Sequence, residues 1–330
     1  MIGRSIVGLA RSSAPLSASG RAFSILSGVS EDLLVSTSIG HQIGGDSHDA
    51  LINSLVKTNV VAKGSRLERA LRSVDRGLFT PEQFHSAKDV VYANRPLKIG
   101  VVATISTPQQ HAQVLGFLEP HLQSGMKAID IGSGSGILVA IMAHLVGEQG
   151  HVTGVDIVPE LVQFAQQNLS KCLVESLLAR TQIVTSSGKD TMSSLMKSGE
   201  ELYDCIHVGV AVETKVEAEN YLQFLKPGGG LLIPLGFAGA EQKLVKMTKH
   251  TDGNVEKVDV MSVLCQPMLD EVPVEVVRET RAEKLARVEK ALTQWRDAFE
   301  KQHGRKPSRD DMLSDPESKQ LFQDFAALRK

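Results

Sequence analysis

The chain has 330 residues, 42% hydrophobic and 22% charged, with a formal net charge of -2. Its length allows one large domain or two smaller ones, and its composition is that of a globular protein. A charge so near zero gives no broad attraction to nucleic acid or membrane surfaces, and no apolar run is long enough to span a bilayer. Cys172, Cys205 and Cys265 are widely scattered. They form neither a metal-ligand spacing nor a disulfide framework, so no metal site is expected and a reducing compartment is.

Residues 1–28 stand apart. They carry Arg4, Arg11 and Arg21, many serines and no acid, the first acidic residue being Glu31. That composition predicts an organelle transit peptide. Arg21-Ala22-Phe23-Ser24 resembles a mitochondrial processing site with cleavage after Phe23. The mitochondrial matrix is the expected destination, with a plastid or the cytoplasm as alternatives. The plainer reading is a disordered basic tail. A first helix is expected over Asp46–Asn59, with Asp46 or Ser47 as N-cap and Leu51, Ile52 and Leu55 on one face. A second is expected over Ser65–Val74, with Leu67, Ala70 and Leu71 turned inward. Pro81 and Pro96 bracket an irregular stretch, after which Thr107-Pro108 opens a helix with Val114, Leu115 and Leu118 on its apolar side.

From Lys127 the pattern alternates. Strands are expected at Lys127–Ile131, His151–Val155, Thr181–Thr185, Tyr203–Val208 and Gly230–Pro234. Helices are expected at about Ser135–Val146, Pro159–Cys172 and Lys215–Leu225. Such alternation predicts an α/β domain with a doubly wound, mainly parallel sheet, here over residues 29–276. Leu225-Lys226-Pro227-Gly228-Gly229 reads as a tight turn entering a strand. Residues 241–249 and 255–264 alternate apolar and polar, as late antiparallel strands do. Residues 277–330 form a helical C-terminal extension. Leu285, Val288, Leu292, Trp295 and Phe299 recur at helical spacing, Gly304 stops that helix, and further turns are expected at Asp310–Leu313 and Pro316–Leu328. The extension either packs as a helical hairpin or serves as a partner-binding appendage over residues 278–330.

The stretch from Lys127 to Pro159 carries the most chemistry. A strand ends at Asp130, and Gly132, Gly134 and Gly136 follow in a loop that opens a helix. The next strand ends at Asp156. Glycine lets a backbone approach a ligand closely, and the helix start turns unpaired N–H groups toward it. Asp156 stands where an acid accepts hydrogen bonds from both ribose hydroxyls. A dinucleotide loop would read G-x-G-x-x-G, yet Ile137 occupies the third glycine's place. Asp130 would repel a pyrophosphate but suits the cationic sulfonium and amino group of S-adenosylmethionine.

The segments A-T-I-S-T-P-Q-Q-H-A (103–112), A-I-D-I-G-S-G-S-G-I-L (128–138), G-V-D-I (154–157), D-C-I-H-V-G (204–209), L-K-P-G-G (225–229) and I-P-L-G (233–236) resemble the protein-L-isoaspartate (D-aspartate) O-methyltransferase family. The likeness runs from about Asp46 to Pro267 and omits the head and the tail. It implies a class I, Rossmann-like methyltransferase that moves a methyl group from S-adenosylmethionine to the free carboxylate of L-isoaspartyl residues in damaged proteins. The ester then collapses to a succinimide that reopens partly to aspartate, which is protein repair. By the same resemblance Ser106 is the active-site serine. Ala103, Thr104, Ile105, Ser106, His111, Asp130, Gly132, Ser133, Gly134, Asp156, Ile157, Ser187 and Gly188 are the cofactor-binding positions. The implied partners are isoaspartyl-containing peptides and proteins. Ser106 could instead cap the helix that starts at Pro108, and His111 could be a structural histidine.

The chain also departs from the family pattern. Ser186-Ser187-Gly188 replaces an acidic segment beside the adenine, Asn94 replaces an aspartate in Y-x-D-x-P, Val210-Ala211-Val212-Glu213 replaces A-A-A-P, and Gln266-Pro267-Met268-Leu269 replaces a V-P-L segment. These changes leave two other readings open. One is a catalytically weak or inactive relative that acts as a cofactor-binding adaptor through its helical tail. The other is a methyltransferase for a different carboxylate or a small molecule.

Overall fold

A computed structural model describes residues 40–100, 103–187, 190, 202–237, 239–269, 271–272 and 281–315, with single positions or pairs at 318–319, 321–322 and 325. The transit-like segment and most of the 316–328 stretch lie outside the described residues. The chain divides into two compact units, Met1–Val272 and Pro273–Lys330.

In the first unit, α1 spans His48–Lys57 and buries Leu51, Ile52 and Leu55, while Ser47 caps it by accepting from the Ala50 N–H. Helix α2 (Arg66–Ser73) buries Leu67, Ala70 and Leu71 and is capped by Ser65. Helix α3 runs from Pro108 to Leu118. Between α2 and α3 the chain is a series of short turns and one small antiparallel pair, β1 (Leu97–Lys98) and β2 (Thr104–Ile105).

The main sheet contains β3 (Lys127–Ile131), β4 (His151–Asp156), β5 (Thr181–Thr185), β6 (Tyr203–Val208), β7 (Leu225–Leu235), β8 (Gln242–Lys249) and β9 (Val255–Val263), in the spatial order β5-β4-β3-β6-β7-β8-β9. The first five of that order pair parallel, and β8 and β9 add as an antiparallel meander. Alternate residues of β3 serve opposite faces: Ala128 joins one hydrophobic core, Ile129 and Ile131 the other. Helices α4 (Ile137–Val146) and α5 (Pro159–Cys172) cover the first face; α6 (Lys215–Asn220), with the 3₁₀ turn Tyr221–Phe224, covers the second. Burial on both faces is why these strands are nearly continuously apolar.

Three of the boundary differences from the sequence expectation have a clear local cause. Helix α4 begins at Ile137, not Ser135, because Gly136 holds φ +82°, a left-handed value that helical geometry forbids. The helix expected over Lys215–Leu225 tightens into a 3₁₀ turn at Tyr221. Strand β7 starts five residues early, at Leu225, and absorbs the Pro227-Gly228-Gly229 turn through a register shift against β6.

In the second unit, α7 (Arg281–His303) ends where Gly304 takes φ +66°. Val288 and Leu292 are buried, while Trp295 and Phe299 are half-buried and stack at 5.4 Å. Arg305 lies over the Phe299 ring at 5.2 Å and pairs with Asp311 of α8 (Arg309–Ser314) at 2.6 Å. No helix among the described residues is long and apolar enough to cross a membrane.

Candidate active site

Chain order explains where a site can form. The connections run from β3 outward through β4 to β5, then return to place β6 on the other side of β3. The crevice beyond the carboxyl ends of β3 and β6 is therefore a topological switch point, the place where open α/β sheets bind ligands. Asp130 of β3 and His207 of β6 face each other in register there. A cavity opens at this point, lined by Thr104, Ile105, Ser106, His111, Asp130, Gly132, Ser133, Gly134, His207 and Cys265, among others.

The glycine loop forms the floor. Gly132 has φ +80°, and an added Cβ would stand 2.9 Å from Val210 Cγ1, so only glycine fits. The loop is pinned by backbone bonds from Gly132 N and Ser133 N to the Val155 carbonyl, at 2.8 and 2.9 Å. Asp156 fixes its far side. Its Oδ2 accepts from Gly134 N at 2.9 Å, and its Oδ1 accepts from Val158 N at 3.0 Å. Burial raises the Asp156 pKa, against the opposing pull of these backbone hydrogen bonds, and nearby Asp130 adds to the rise. Ser133 Oγ and Ser135 Oγ are buried, with no hydrogen-bond partner among the described residues. Such orphaned hydroxyls in a cradle of positive-φ glycines fit a polar ligand that supplies the missing partners.

Asp130 is 1% exposed, and its Oδ1 lies 2.7 Å from His207 Nδ1. A carboxylate can only accept, so the ring carries its proton on Nδ1 and donates it. This fixes the Asp130 carboxyl at the strand end, where the sequence reading places a cationic group. His111, on the first turn of α3, is buried, and its pKa falls well below the usual value. Burial is the main cause, followed by the positive charge of Arg76 and the proximity of His207. It is a neutral imidazole at neutral pH.

Ser106 precedes α3 but does not cap it. The cap is Thr107, whose Oγ1 accepts from Gln110 N at 3.1 Å, which corrects the capping role considered for Ser106. The Ser106 hydroxyl is left to the cavity, and its carbonyl accepts from Arg76 Nη1 at 2.9 Å.

Of the expected site residues, Thr104, Ile105, Ser106, His111, Asp130, Gly132, Ser133 and Gly134 come together around this one cavity. Asp156 and Ile157 flank it at the end of β4. Ala103 lies outside the lining and pairs its carbonyl with Ile99 N. Ser187 lies just past β5. Its Oγ donates to Asp190 Oδ2 at 2.7 Å and accepts from Asp190 N at 2.9 Å. Gly188 lies outside the described residues. Sequence reasoning missed His207, Gln110 and Cys265 in the lining, and Arg76 behind it on the Ser106 carbonyl. His207 was within reach, because it lies one residue from the end of a correctly bounded strand, in register with Asp130. For Arg76 the sequence carries no signal.

The departures have local accounts. Asn94 Oδ1 accepts from Gln109 N at 3.0 Å, and its Nδ2 donates to Gln109 Oε1 at 2.9 Å and to the Gly40 carbonyl at 3.3 Å. The amide therefore makes bonds that a carboxylate could not. Gln266 O accepts from Ala211 N at 2.7 Å and Met268 N donates to Ala211 O at 2.9 Å, so this segment is knitted to the altered 210–213 stretch. Gln242, fully buried, holds the same wall by accepting from Cys265 N at 2.8 Å and donating to the Phe237 carbonyl at 3.0 Å.

Comparison with known proteins finds relatives of this chain in sequence and in structure. The sequence model of the family Protein-L-isoaspartate(D-aspartate) O-methyltransferase matches residues 46–272. Protein-L-isoaspartate O-methyltransferase 2 of Arabidopsis thaliana is 34% identical over 231 residues, covering 69% of this chain and 70% of that one. The Caenorhabditis elegans protein-L-isoaspartate O-methyltransferase is 34% identical over 224 residues, covering 68% and 93%. Among solved structures, a Plasmodium falciparum beta-aspartate methyltransferase in complex with S-adenosyl-L-homocysteine superposes with a TM-score of 0.57 at 26% identity, over 68% of this chain and 99% of that one.

Proposed function

Because the chain belongs to the protein-L-isoaspartate(D-aspartate) O-methyltransferase family, we propose that it methylates the free carboxylate of L-isoaspartyl residues and that it does so inside an organelle. The observation that carries the activity is the Ser106 hydroxyl, free of capping duty, on the switch-point cavity opposite the glycine loop. S-adenosylmethionine supplies an electrophilic methyl group when bound. Gly132–Gly134, the Ser133 and Ser135 hydroxyls, Asp130 and Asp156 would hold it. An acceptor carboxylate is already ionised at neutral pH, so no strong base is required. What remains is orientation and exclusion of water. The Ser106 hydroxyl donates to the carboxylate and aims it. His111, neutral and buried, walls the cavity without competing for the acceptor as a charge partner.

The alternative of an inactive adaptor draws no support from the site, since the altered positions 94 and 266–268 are rebuilt into hydrogen-bonded walls. The organellar address rests on the arginine- and serine-rich, acid-free composition of residues 1–28. The experiment is to incubate the full-length chain with isolated mitochondria and sequence the N-terminus of the protease-protected product. In parallel, isoaspartyl content is assayed in matrix extracts with and without the active chain. Protection with a new N-terminus near Ser24, and lower isoaspartate with the chain present, are expected. A chain that stays accessible and uncut would overturn the address, and unchanged isoaspartate would overturn the activity there.

A further inference from the structure

Arg76 stands behind the lining of the site, in contact with it at the Ser106 carbonyl. It is 2% exposed, and it lies in a 3₁₀ turn that precedes the site by thirty residues. Its guanidinium donates to three carbonyls from separate segments: Val91 at 3.0 Å, Arg95 at 3.2 Å and Ser106 at 2.9 Å. Carbonyls satisfy its N–H groups but cancel none of its net charge. Among the described residues no carboxylate lies within ion-pair distance of it. Burying a cation without a counter-ion is costly and rarely retained for packing alone.

The charge sits directly behind Ser106. From the 2.9 Å contact with the Ser106 carbonyl and ordinary bond lengths, the guanidinium is at most about 8 Å from the Ser106 hydroxyl. Its field reaches the cavity, because Arg76 is the leading charged group acting on His111, which lines that cavity. Asp130, held by His207, lines the same cavity.

We propose that Arg76 is the specificity-determining cation of the acceptor subsite: a buried charge that touches no substrate atom and selects an anionic acceptor at Ser106 over a neutral one. This rests on the carboxylate-methylating reading given above. The direction of the effect follows from charge. A bound carboxylate is anionic and becomes neutral as an ester, so the cation stabilises the bound acceptor more than the point of reaction. Arg76 therefore favours acceptor affinity and selectivity and does not raise kcat. At about 8 Å and an effective dielectric of ~20, loss of the charge weakens a carboxylate by about 10- to 30-fold.

The test uses two peptides, one with an isoaspartyl residue and one in which its free carboxylate is a carboxamide. Each is titrated by calorimetry into the full chain saturated with S-adenosylhomocysteine. In the unmodified chain the carboxylate peptide should bind at least about tenfold more tightly. Arg76→Gln, which can still donate to a carbonyl, should collapse that ratio toward one. Arg76→Lys, which keeps the charge, should retain most of it. Thermal melts and S-adenosylhomocysteine affinity establish that the variants are folded. Equal weakening of both peptides by Arg76→Gln would show a clamp without electrostatic selectivity and overturn the proposal. Equal affinities in the unmodified chain would overturn it without any variant. Failure of the methylation reading is seen separately, as no methyl transfer to the isoaspartyl peptide by the unmodified chain.

Discussion

Asp156→Asn probes the point where the cofactor cradle is tied together. The carboxylate accepts two backbone hydrogen bonds, from Gly134 at 2.9 Å and Val158 at 3.0 Å. An asparagine keeps one acceptor and turns an NH₂ group against the other N–H. Loss of one bond to a charged group costs roughly 1.5–3 kcal/mol. Burial already disfavours the Asp156 anion, so part of that cost is offset and about 2 kcal/mol is expected. For a unit of this size that is a Tm drop of roughly 4–8 °C. Cofactor affinity should fall as well, because the side chain's spare lone pairs are also those left for the ribose hydroxyls. A loss of about 10- to 100-fold is expected, equivalent to one charge-assisted bond. Differential scanning calorimetry gives the first quantity, and titration with S-adenosylhomocysteine gives the second. An unchanged Tm together with unchanged affinity would refute the role of Asp156 as the tie between loop and ligand.

Other perturbations separate the remaining roles. Ser106→Ala should lower kcat/KM by about 10- to 100-fold through the lost bond to a charged acceptor, with cofactor affinity and Tm little changed. Thr107→Ala, by contrast, should cost about 1 kcal/mol of stability as a lost helix cap; a Tm drop at Ser106 in place of Thr107 would reverse that assignment. Gly132→Ala forces a side chain into φ +80° and against Val210, so a loss of about 1–3 kcal/mol is expected in a urea melt. The raised Asp156 pKa gives cofactor binding a pH dependence. Hydrogen-bond donors on a ligand favour the anion, so affinity is full above the Asp156 pKa and falls as pH drops through it, at a higher pH than an ordinary aspartate would show. Its contribution to folding has the opposite sign, being present below the unfolded pKa and lost as pH rises through the folded value. Affinity that stays flat down to pH 4 would exclude Asp156 from the binding site.

Much of this architecture is legible in the sequence because the relevant forces are local. Strands β3, β5 and β6 and helix α5 have the bounds that apolar runs and turn residues dictate, and the Gly132–Gly136 loop declares itself by backbone demands that only glycine meets. What was illegible depends on closure in three dimensions. Arg76 in Asp75-Arg76-Gly77 reads as a surface charge, and its burial follows only when segments 91–95 and 106 fold over it. Ser106 and Thr107 carry equivalent hydroxyls, and which one caps α3 is settled by backbone angles that composition does not encode. Asn94 reads as a weakened aspartate until Gln109 and the Gly40 carbonyl are placed beside it, where the amide nitrogen donates two bonds that a carboxylate could not.

The most direct test of the assigned activity is transfer of a labelled methyl group from S-adenosylmethionine to two peptides that differ only in whether one residue is L-isoaspartyl or L-aspartyl. The full chain is used, and transfer is read as base-labile methyl ester. Labelling of the isoaspartyl peptide alone, slowed about 10- to 100-fold in Ser106→Ala, is the expected result. Equal labelling of both peptides, or of neither, would contradict it.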